Sequence, residues 1–197
     1  MASAALKQTR LSYEEYLELE ERSDERHFYW DGEIFAMSGA SPRHYEVEAN
    51  LVIQIHLALQ GRPCRPYTGN VRLRSLDLEG RSAYPDAVVV CGRLQTHPDD
   101  GHAVTNPTVV FEVLSSSTER FDRGDKFAWY RSFDTLRSYV LVSQERVAVE
   151  HFHREGDLWT LRILGPGDLL TLPDLGVSVP VDAFYEGVDW ETAEATD

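Results

Sequence analysis

Two apolar segments of this chain each hold one acidic residue where a buried strand would normally hold none. The segments are YPDAVVVC (84–91), which contains Asp86, and TVVFEVL (108–114), which contains Glu112. Burying an unpaired carboxylate is so unfavourable that such a group is normally paired, protonated or bound to a metal. Asp86 and Glu112, with Lys126 downstream, therefore predict an oxygen-ligand site for a divalent cation with a basic residue beside it.

The expected strand over 108–114 places Glu112 on one face with Val110 and Leu114. Because neighbouring strands lie about 4.8 Å apart, Asp86 and Glu112 can share one cation, with a backbone carbonyl near Val113 as a third oxygen. Mg²⁺ or Mn²⁺ suits such ligands. Two other interpretations stay open: Glu112 can be the buried partner of an Arg or Lys, and Asp86 can cap a turn.

Length and composition favour one globular domain. The chain has 197 residues, of which 42% are hydrophobic and 26% charged, and we expect one domain over 1–187 with an acidic, frayed tail over 188–197. No run approaches the roughly 18 apolar residues of a membrane span, and MASAALKQTR lacks an apolar signal core. The sequence thus predicts a cytoplasmic protein that does not bind membranes, with Cys64 and Cys91 as reduced thiols.

The charge balance weighs against a nucleic-acid partner. There are 33 acidic and 19 basic residues, for a net charge of −14, whereas proteins that bind phosphate backbones usually carry a basic face. A local basic strip remains compatible with this balance, because five arginines fall between 62 and 81. Within that strip Arg72 and Arg74 are the expected nucleic-acid contacts.

Periodicity and turn signals predict an α/β (α+β) fold. We expect a short capped helix over 12–21, an aromatic hairpin over 27–37 and a long helix from Ser41 to about Gln60. Strands follow at 67–73, 86–91 and 108–114, then a helix over about 122–133, and short strands to the end of the domain. The order predicts a central mixed β-sheet flanked by helices.

Five blocks of this sequence closely resemble the PD-(D/E)XK nuclease superfamily, specifically its Uma-two family of restriction-endonuclease-like proteins. The blocks occur in the family order, and they are DGEIFAMSGASPRH (31–44), YPDAVVVC (84–91), NPTVVFEVLSSST (106–118), DRGDKFAWY (122–130) and LRSYVLV (136–142). In that family the lysine has moved from the strand that holds the glutamate to the following helix. The resemblance implies a restriction-endonuclease-like fold and metal-dependent hydrolysis of phosphodiester bonds.

The resemblance also implies roles for individual residues. Asp86 and Glu112 take the metal-ligand places, and Lys126 takes the place of the lysine that positions the attacking water and steadies the developing charge. His44 matches a family histidine that could contact phosphate or the water shell of the metal, or it could simply begin a helix. Ser115 and Thr118 resemble the polar residues that end the glutamate strand and cap the lysine helix.

Four positions depart from the family pattern. Phe28 stands where a glutamate is common, and Asn70 where the third strand usually has an acidic residue, which puts a second metal site in doubt. Ser116 replaces the usual proline, and Ser143 replaces a frequent aspartate.

The sequence as a whole predicts a Mg²⁺-dependent endonuclease that cuts DNA rather than RNA. The alternative is a nucleic-acid- or protein-binding module that keeps the scaffold without turnover, which the acidic charge and the missing acids favour. Duplex cleavage needs two cuts, so we expect a homodimer. Its expected surface is the aromatic hairpin with Phe28, Trp30 and Phe35, unless these rings pack inside the domain.

Overall fold

The computed structural model describes residues 10–37, 39–76 and 80–190. Helix α1 spans Tyr13–Arg22, and helix α2 spans Pro42–Ala58. Helix α3 covers 119–130 as three successive turns, α-helical at Glu119–Phe121, π-helical at Asp122–Lys126 and α-helical at Phe127–Tyr130. Short 3₁₀ turns follow at Pro173–Leu175 and Val181–Tyr185.

The described residues also form fourteen strands. These are β1 (His27–Trp30), β2 (Glu33–Ala36), β3 (Cys64–Thr68), β4 (Arg72–Arg74), β5 (Arg81–Ala83), β6 (Ala87–Cys91), β7 (Thr96–His97), β8 (Asp100–Val104), β9 (Val109–Leu114), β10 (Ser138–Ser143), β11 (Val149–Glu155), β12 (Leu158–Leu164), β13 (Leu169–Leu172) and β14 (Val177–Pro180).

A six-stranded mixed sheet forms the centre of the fold, in the order β12-β11-β10-β9-β6-β3. Strands β9 and β10 are parallel, and the other neighbours are antiparallel. The predicted central mixed sheet is therefore confirmed. A second sheet, β2-β1-β5-β4-β8-β7, and the ribbon β13-β14 complete the strands.

Two apolar cores cover the two faces of the central sheet. Alternate residues of β9 divide between them: Val109, Phe111 and Val113 join the core under α2 and the ribbon, whereas Val110 and Leu114 join the core under α3. This alternation is the pattern expected for a strand buried on both faces. Glu112 thus points toward α3.

Serine caps set the starts of the first two helices. Ser12 and Glu15 form a complete capping box before α1, and the Ser41 side chain accepts a hydrogen bond from the backbone N–H of His44 at the start of α2. Pro42 then occupies the first turn of α2, where its missing N–H is tolerated. Both predicted starts are confirmed, and the start of α2 fixes the direction of His44.

The aromatic hairpin packs inside the domain. The ring of Phe28 stacks on Phe35 and on Phe121 of α3, and Trp30 contacts Phe121 and Trp129. These contacts favour the alternative that the rings pack within the domain, although Phe28, Trp30 and Phe35 are only half-buried. The dimer surface expected there stays a prediction.

The two cysteines form a disulfide, so the expectation of reduced thiols is also wrong. Cys64 and Cys91 lie opposite each other in the antiparallel pair β3–β6 and are bonded. The pairing depends on strand register, which cysteine count and spacing do not reveal. The bond ties β3 to the strand that begins just after Asp86.

The packed chain continues past the expected domain end. Val188 is buried in the core under α2, and the Arg43 guanidinium donates to the backbone carbonyls of Asp189 and Trp190. These residues are not frayed, because they cover the first turn of α2. The rest of the expected tail, 191–197, lies outside the described residues.

Part of the strand prediction is corrected. The expected strand over 67–73 divides into β3 and β4, and two further strands, β7 and β8, lie between the strands expected over 86–91 and 108–114. Both strands lie at the end of the second sheet, where alternation of polar and apolar residues is weak. None of the helices in the described residues is long and apolar enough to cross a bilayer.

Candidate metal centre

Asp86 lies beside Glu112 because of the register of β6 and β9. Ala87 is opposite Phe111 in this antiparallel pair, and the same register continued by one residue brings Asp86 opposite Glu112. The Val113 backbone N–H donates to Asp86 Oδ2 at 2.6 Å. Since the N–H and C=O of one strand residue face the same edge, the Val113 carbonyl also faces the side of Asp86.

The Glu112 carboxylate is buried and has two partners from α3. Its residue is 3% exposed, and its Oε1 lies 2.9 Å from Lys126 Nζ and accepts a hydrogen bond from the Tyr130 hydroxyl at 2.8 Å. The alternative interpretation of Glu112, as the buried partner of a basic residue, is thus present. Its partner is Lys126, the lysine that the family resemblance identifies.

Lys126 is held between two carboxylates. Besides Glu112, its Nζ lies 3.0 Å from Asp122 Oδ1. Only two of the 19 basic residues are lysines, Lys7 and Lys126, so Lys126 is the sole lysine in the part of the chain that the structure describes. The other basic side chains in that part of the chain are arginines and histidines, and Lys126 is 8% exposed.

The π-helical turn Asp122–Lys126 brings Asp122 into the cluster. Turns of this kind are rare and are frequent at functional sites. The backbone carbonyl of Asp122 accepts a hydrogen bond from the Tyr139 hydroxyl of β10 at 2.9 Å, and its side chain is 2% exposed. Asp122 was missed in the sequence because a carboxylate on a helix is usually solvated.

Burial and crowded charge shift the ionisation of these groups. Burial raises the pKa of Glu112 to about 8; the Lys126 ammonium opposes this shift, and the charges of Asp122 and Asp86 add to it. Burial lowers the pKa of Lys126, but Glu112 and Asp122 outweigh it and hold that pKa well above its usual value. Glu112 and Asp122 therefore share one ammonium, and Asp86 adds negative charge nearby. Such an excess of negative charge is of the kind that a divalent cation relieves.

Two residues of α2 approach Asp86 from the other side. His44 Nε2 lies 3.3 Å from Asp86 Oδ1, and a carboxylate oxygen of Glu48 is near both. Among the described residues, His44, Glu48 and Asp86 form the one group of three such side chains whose ligand atoms lie within 4.8 Å of one another. Residues 44 and 48 are four positions apart, so both lie on one face of α2. The sequence motif identified only His44, although this spacing was also a signal for Glu48.

Neighbouring charge also shifts the pKa values on this side. Burial lowers the pKa of His44, but the hydrogen bond and charge of Asp86 and the charge of Glu48 outweigh it, so the net shift is upward. Burial and the charge of Asp86 raise the pKa of Glu48, against smaller opposing effects of His44 and the Gly69 backbone N–H.

Ser115 rather than Thr118 provides the polar turn before α3. The Ser115 Oγ accepts a hydrogen bond from the Thr118 backbone N–H at 3.3 Å and lies 2.9 Å from Thr118 Oγ1. Thr118 occupies the N-cap position, but its side chain makes no cap hydrogen bond. The pair shapes the turn that carries the chain from Glu112 to the lysine helix.

Arg72 and Arg74 lie in a different cluster and are buried. Arg72 forms two hydrogen bonds to the Asp100 carboxylate, at 2.7 and 3.0 Å, and one to the Tyr84 hydroxyl. The Arg74 guanidinium lies over the Tyr13 ring. A guanidinium enclosed in this way cannot reach a phosphate, so the expectation that these arginines contact nucleic acid is not supported by their positions.

The structure thus brings together Asp86, Glu112, Lys126, His44 and the Val113 backbone, and it separates Arg72 and Arg74 from them. Carboxylate oxygens and a backbone carbonyl are the donors that hard divalent cations prefer, and an ammonium beside them can stabilise negative charge.

Comparison with known proteins gives the family. Residues 13–182 match the Uma2 family, described as "Putative restriction endonuclease". The chain belongs to the Uma2 family. Two relatives in Synechocystis, both described as uncharacterized, are slr1290, 35% identical over 184 residues (91% of this chain and 93% of the relative), and sll1609, 34% identical over 147 residues (75% and 82%).

A solved structure shares the fold. The crystal structure of a "putative nuclease belonging to DUF820" from Anabaena variabilis superposes with a TM-score of 0.72 at 14% identity, over 89% of this chain and 98% of that one. The Uma2 chain therefore shares the fold of that protein, with the mixed sheet and flanking helices that its sequence predicts.

The buried arginine cluster yields a stability prediction. Arg72→Met leaves the Asp100 carboxylate, which is 4% exposed, without its cationic partner, so we expect the free energy of unfolding to fall by about 3–5 kcal/mol. Urea denaturation measures this change. Arg65→Met alters an exposed arginine of β3 and should change stability by less than about 0.5 kcal/mol; equal stability of the two variants would contradict the structural role of Arg72.

Proposed function

We propose that this Uma2 protein is a metal-dependent endonuclease that hydrolyses phosphodiester bonds of DNA. Asp86, Glu112 and the Val113 carbonyl bind Mg²⁺ or Mn²⁺, and Lys126 positions the attacking water. The observation that carries the proposal is the contact between Lys126 and Glu112, at 2.9 Å, made while Asp86 is bonded to the backbone amide next to Glu112. A buried ion pair with only a structural role consists of Glu112 and Lys126 and does not need Asp86 beside it.

The residues present fit a hard divalent cation. Their donors are oxygens, and the Asp86 side chain is 18% exposed, so a cation can enter from solvent. When bound, the cation lowers the pKa of a water and offsets charge on the phosphate. The protein holds the two carboxylates in register on adjacent strands, which removes the need to order them at the time of reaction.

Asp122 gives Lys126 a second anchor. When the Glu112 oxygen turns toward a cation, the Lys126 ammonium keeps its contact with Asp122 and stays charged beside the site. From there it donates hydrogen bonds to the attacking water and to the oxygens that gain negative charge. We therefore assign Asp122 as a positioning residue for Lys126.

A second candidate function is a binding module without turnover. The net charge of −14 and the burial of Arg72 and Arg74 favour it, because both reduce the attraction of a phosphate backbone. In that case the Glu112–Lys126 pair serves only the stability of the fold.

Cleavage assays separate these functions. Purified protein with Mg²⁺ or Mn²⁺ should cut DNA, and both Glu112→Gln and Lys126→Met should lower the rate by at least about 100-fold, because each removes a charge used at the reacting phosphate. Chelator should abolish cleavage. Plasmid, single-stranded DNA and RNA are tested in parallel.

Glu33→Gln is the matched control, since Glu33 is an exposed carboxylate on β2 and should leave the rate unchanged. Cleavage of RNA alone would transfer the proposal to ribonuclease activity. The absence of turnover on all three substrates would favour the binding module.

We also propose a two-fold homodimer, because a duplex needs one cut in each strand and one chain offers one such site. We place its interface at the edge strand β12, because the rings of the aromatic hairpin already pack against α3. Leu158, Leu161 and Ile163 are 70%, 48% and 74% exposed, and an unpaired strand edge of this kind pairs readily with another strand.

Light scattering tests the dimer. At micromolar concentration the mass should be about twice the chain mass of 22.4 kDa, and Ile163→Asp should reduce it toward one chain by placing a charge at the pairing edge. Leu57→Asp, at an exposed position of α2, serves as the control and should remain dimeric. A single-chain mass for the unmodified protein across this range would rule the dimer out.

A further inference from the structure

The four acids of the site do not share its positive charge equally. Lys126 contacts Glu112 and Asp122. Asp86 and Glu48 have no ion pair with a lysine or arginine among the residues that the structure describes, and the ion pair of Asp86 is with His44. Two neighbouring carboxylates therefore depend on one imidazole for compensation, on the side of the site away from Lys126.

These three side chains have the composition and spacing of a cation site. Their ligand atoms lie within 4.8 Å of one another, whereas two atoms bound to the same Mg²⁺ lie at most about 4.2 Å apart, since each Mg–O distance is about 2.1 Å. We expect rotation of the Glu48 and His44 side chains to close this difference. Both residues are on α2, whose inward residues Val47 and Leu51 are fully buried and hold the helix in place.

The surroundings restrain the two acids. An added Cβ at Gly69 would lie 3.6 Å from Glu48 Oε1 and 3.5 Å from the Asp86 backbone carbonyl, so the loop between β3 and β4 packs against both residues. The His44 side chain is 10% exposed and directs Nε2 at Asp86. Its other ring nitrogen, Nδ1, is buried and has no hydrogen-bond partner within the described ranges.

We propose that His44, Glu48 and Asp86 hold a divalent cation on the α2 side of the site, in a subsite that does not require Glu112. This proposal rests on the proposed function only because Asp86 is a ligand both of this subsite and of the site with Glu112. Glu48 lies outside the family motifs, and it gives this chain a carboxylate that offsets the acids missing at Phe28 and Asn70.

The donor set predicts the ion. Two carboxylate oxygens with one imidazole nitrogen favour Mn²⁺ over Mg²⁺, because nitrogen ligands suit transition ions. Histidines that bind metals usually donate their second ring N–H to a fixed acceptor. His44 lacks that acceptor, so it should contribute less to affinity than Glu48.

Titration of the purified protein with Mn²⁺, followed by calorimetry and by the loss of the free-ion signal in electron paramagnetic resonance, tests the subsite. Glu48→Gln and Asp86→Asn should each raise the dissociation constant at least about tenfold. Glu112→Gln should leave a bound Mn²⁺, and pulsed resonance should detect a nitrogen coupling that His44→Gln removes. Glu46→Gln, which alters an exposed neighbour on α2, should bind as the unmodified protein does.

Unchanged affinity in Glu48→Gln, or the absence of a nitrogen coupling, would overturn the subsite. This outcome is separable from failure of the nuclease proposal. If the protein binds Mn²⁺ through Glu48 but cuts no substrate, the subsite stands and the nuclease proposal fails. If the protein is a nuclease whose Mn²⁺ affinity does not depend on Glu48, the nuclease proposal stands and the subsite fails. Circular dichroism of each variant confirms that it is folded.

Discussion

The burial of one ammonium between two carboxylates organises this protein. Lys126 reaches Glu112 and Asp122 at 2.9 and 3.0 Å, and removing the lysine would leave two buried acids without compensation. The Lys126–Glu112 pair joins β9 to α3 across the core. The Tyr130 hydroxyl donates a hydrogen bond to the Glu112 carboxylate, and the Tyr139 hydroxyl donates one to the Asp122 backbone carbonyl.

The position of the lysine on a helix, rather than on the glutamate strand, shapes the site. A lysine on β9 would have its direction fixed by the alternation of the strand. On α3 its direction depends on the turn at Ser115 and on the π-helical turn that begins at Asp122. These local features bring the Lys126 ammonium to Glu112 on β9 and to Asp122 on α3.

Much of this arrangement can be predicted from the sequence. The apolar runs around Asp86 and Glu112 signal their burial, and the serine caps locate α1 and α2. Partners that depend on long-range register cannot be predicted in this way: the Cys64–Cys91 disulfide requires knowing that β3 pairs with β6, and Arg72 resembles a surface residue until Asp100 is placed beside it. Glu48 and Asp122 resemble ordinary helix acids for the same reason.

The central claim is that Asp86 and Glu112 bind a divalent cation beside Lys126. A crystal structure of the protein with Mn²⁺, phased with anomalous differences, tests it most directly. We expect an anomalous peak about 2.1 Å from carboxylate oxygens of both Asp86 and Glu112, with Lys126 still in contact with Asp122. A Mn²⁺-saturated crystal with no peak at Asp86, or with Glu112 still bound only to Lys126 and Tyr130, would contradict it.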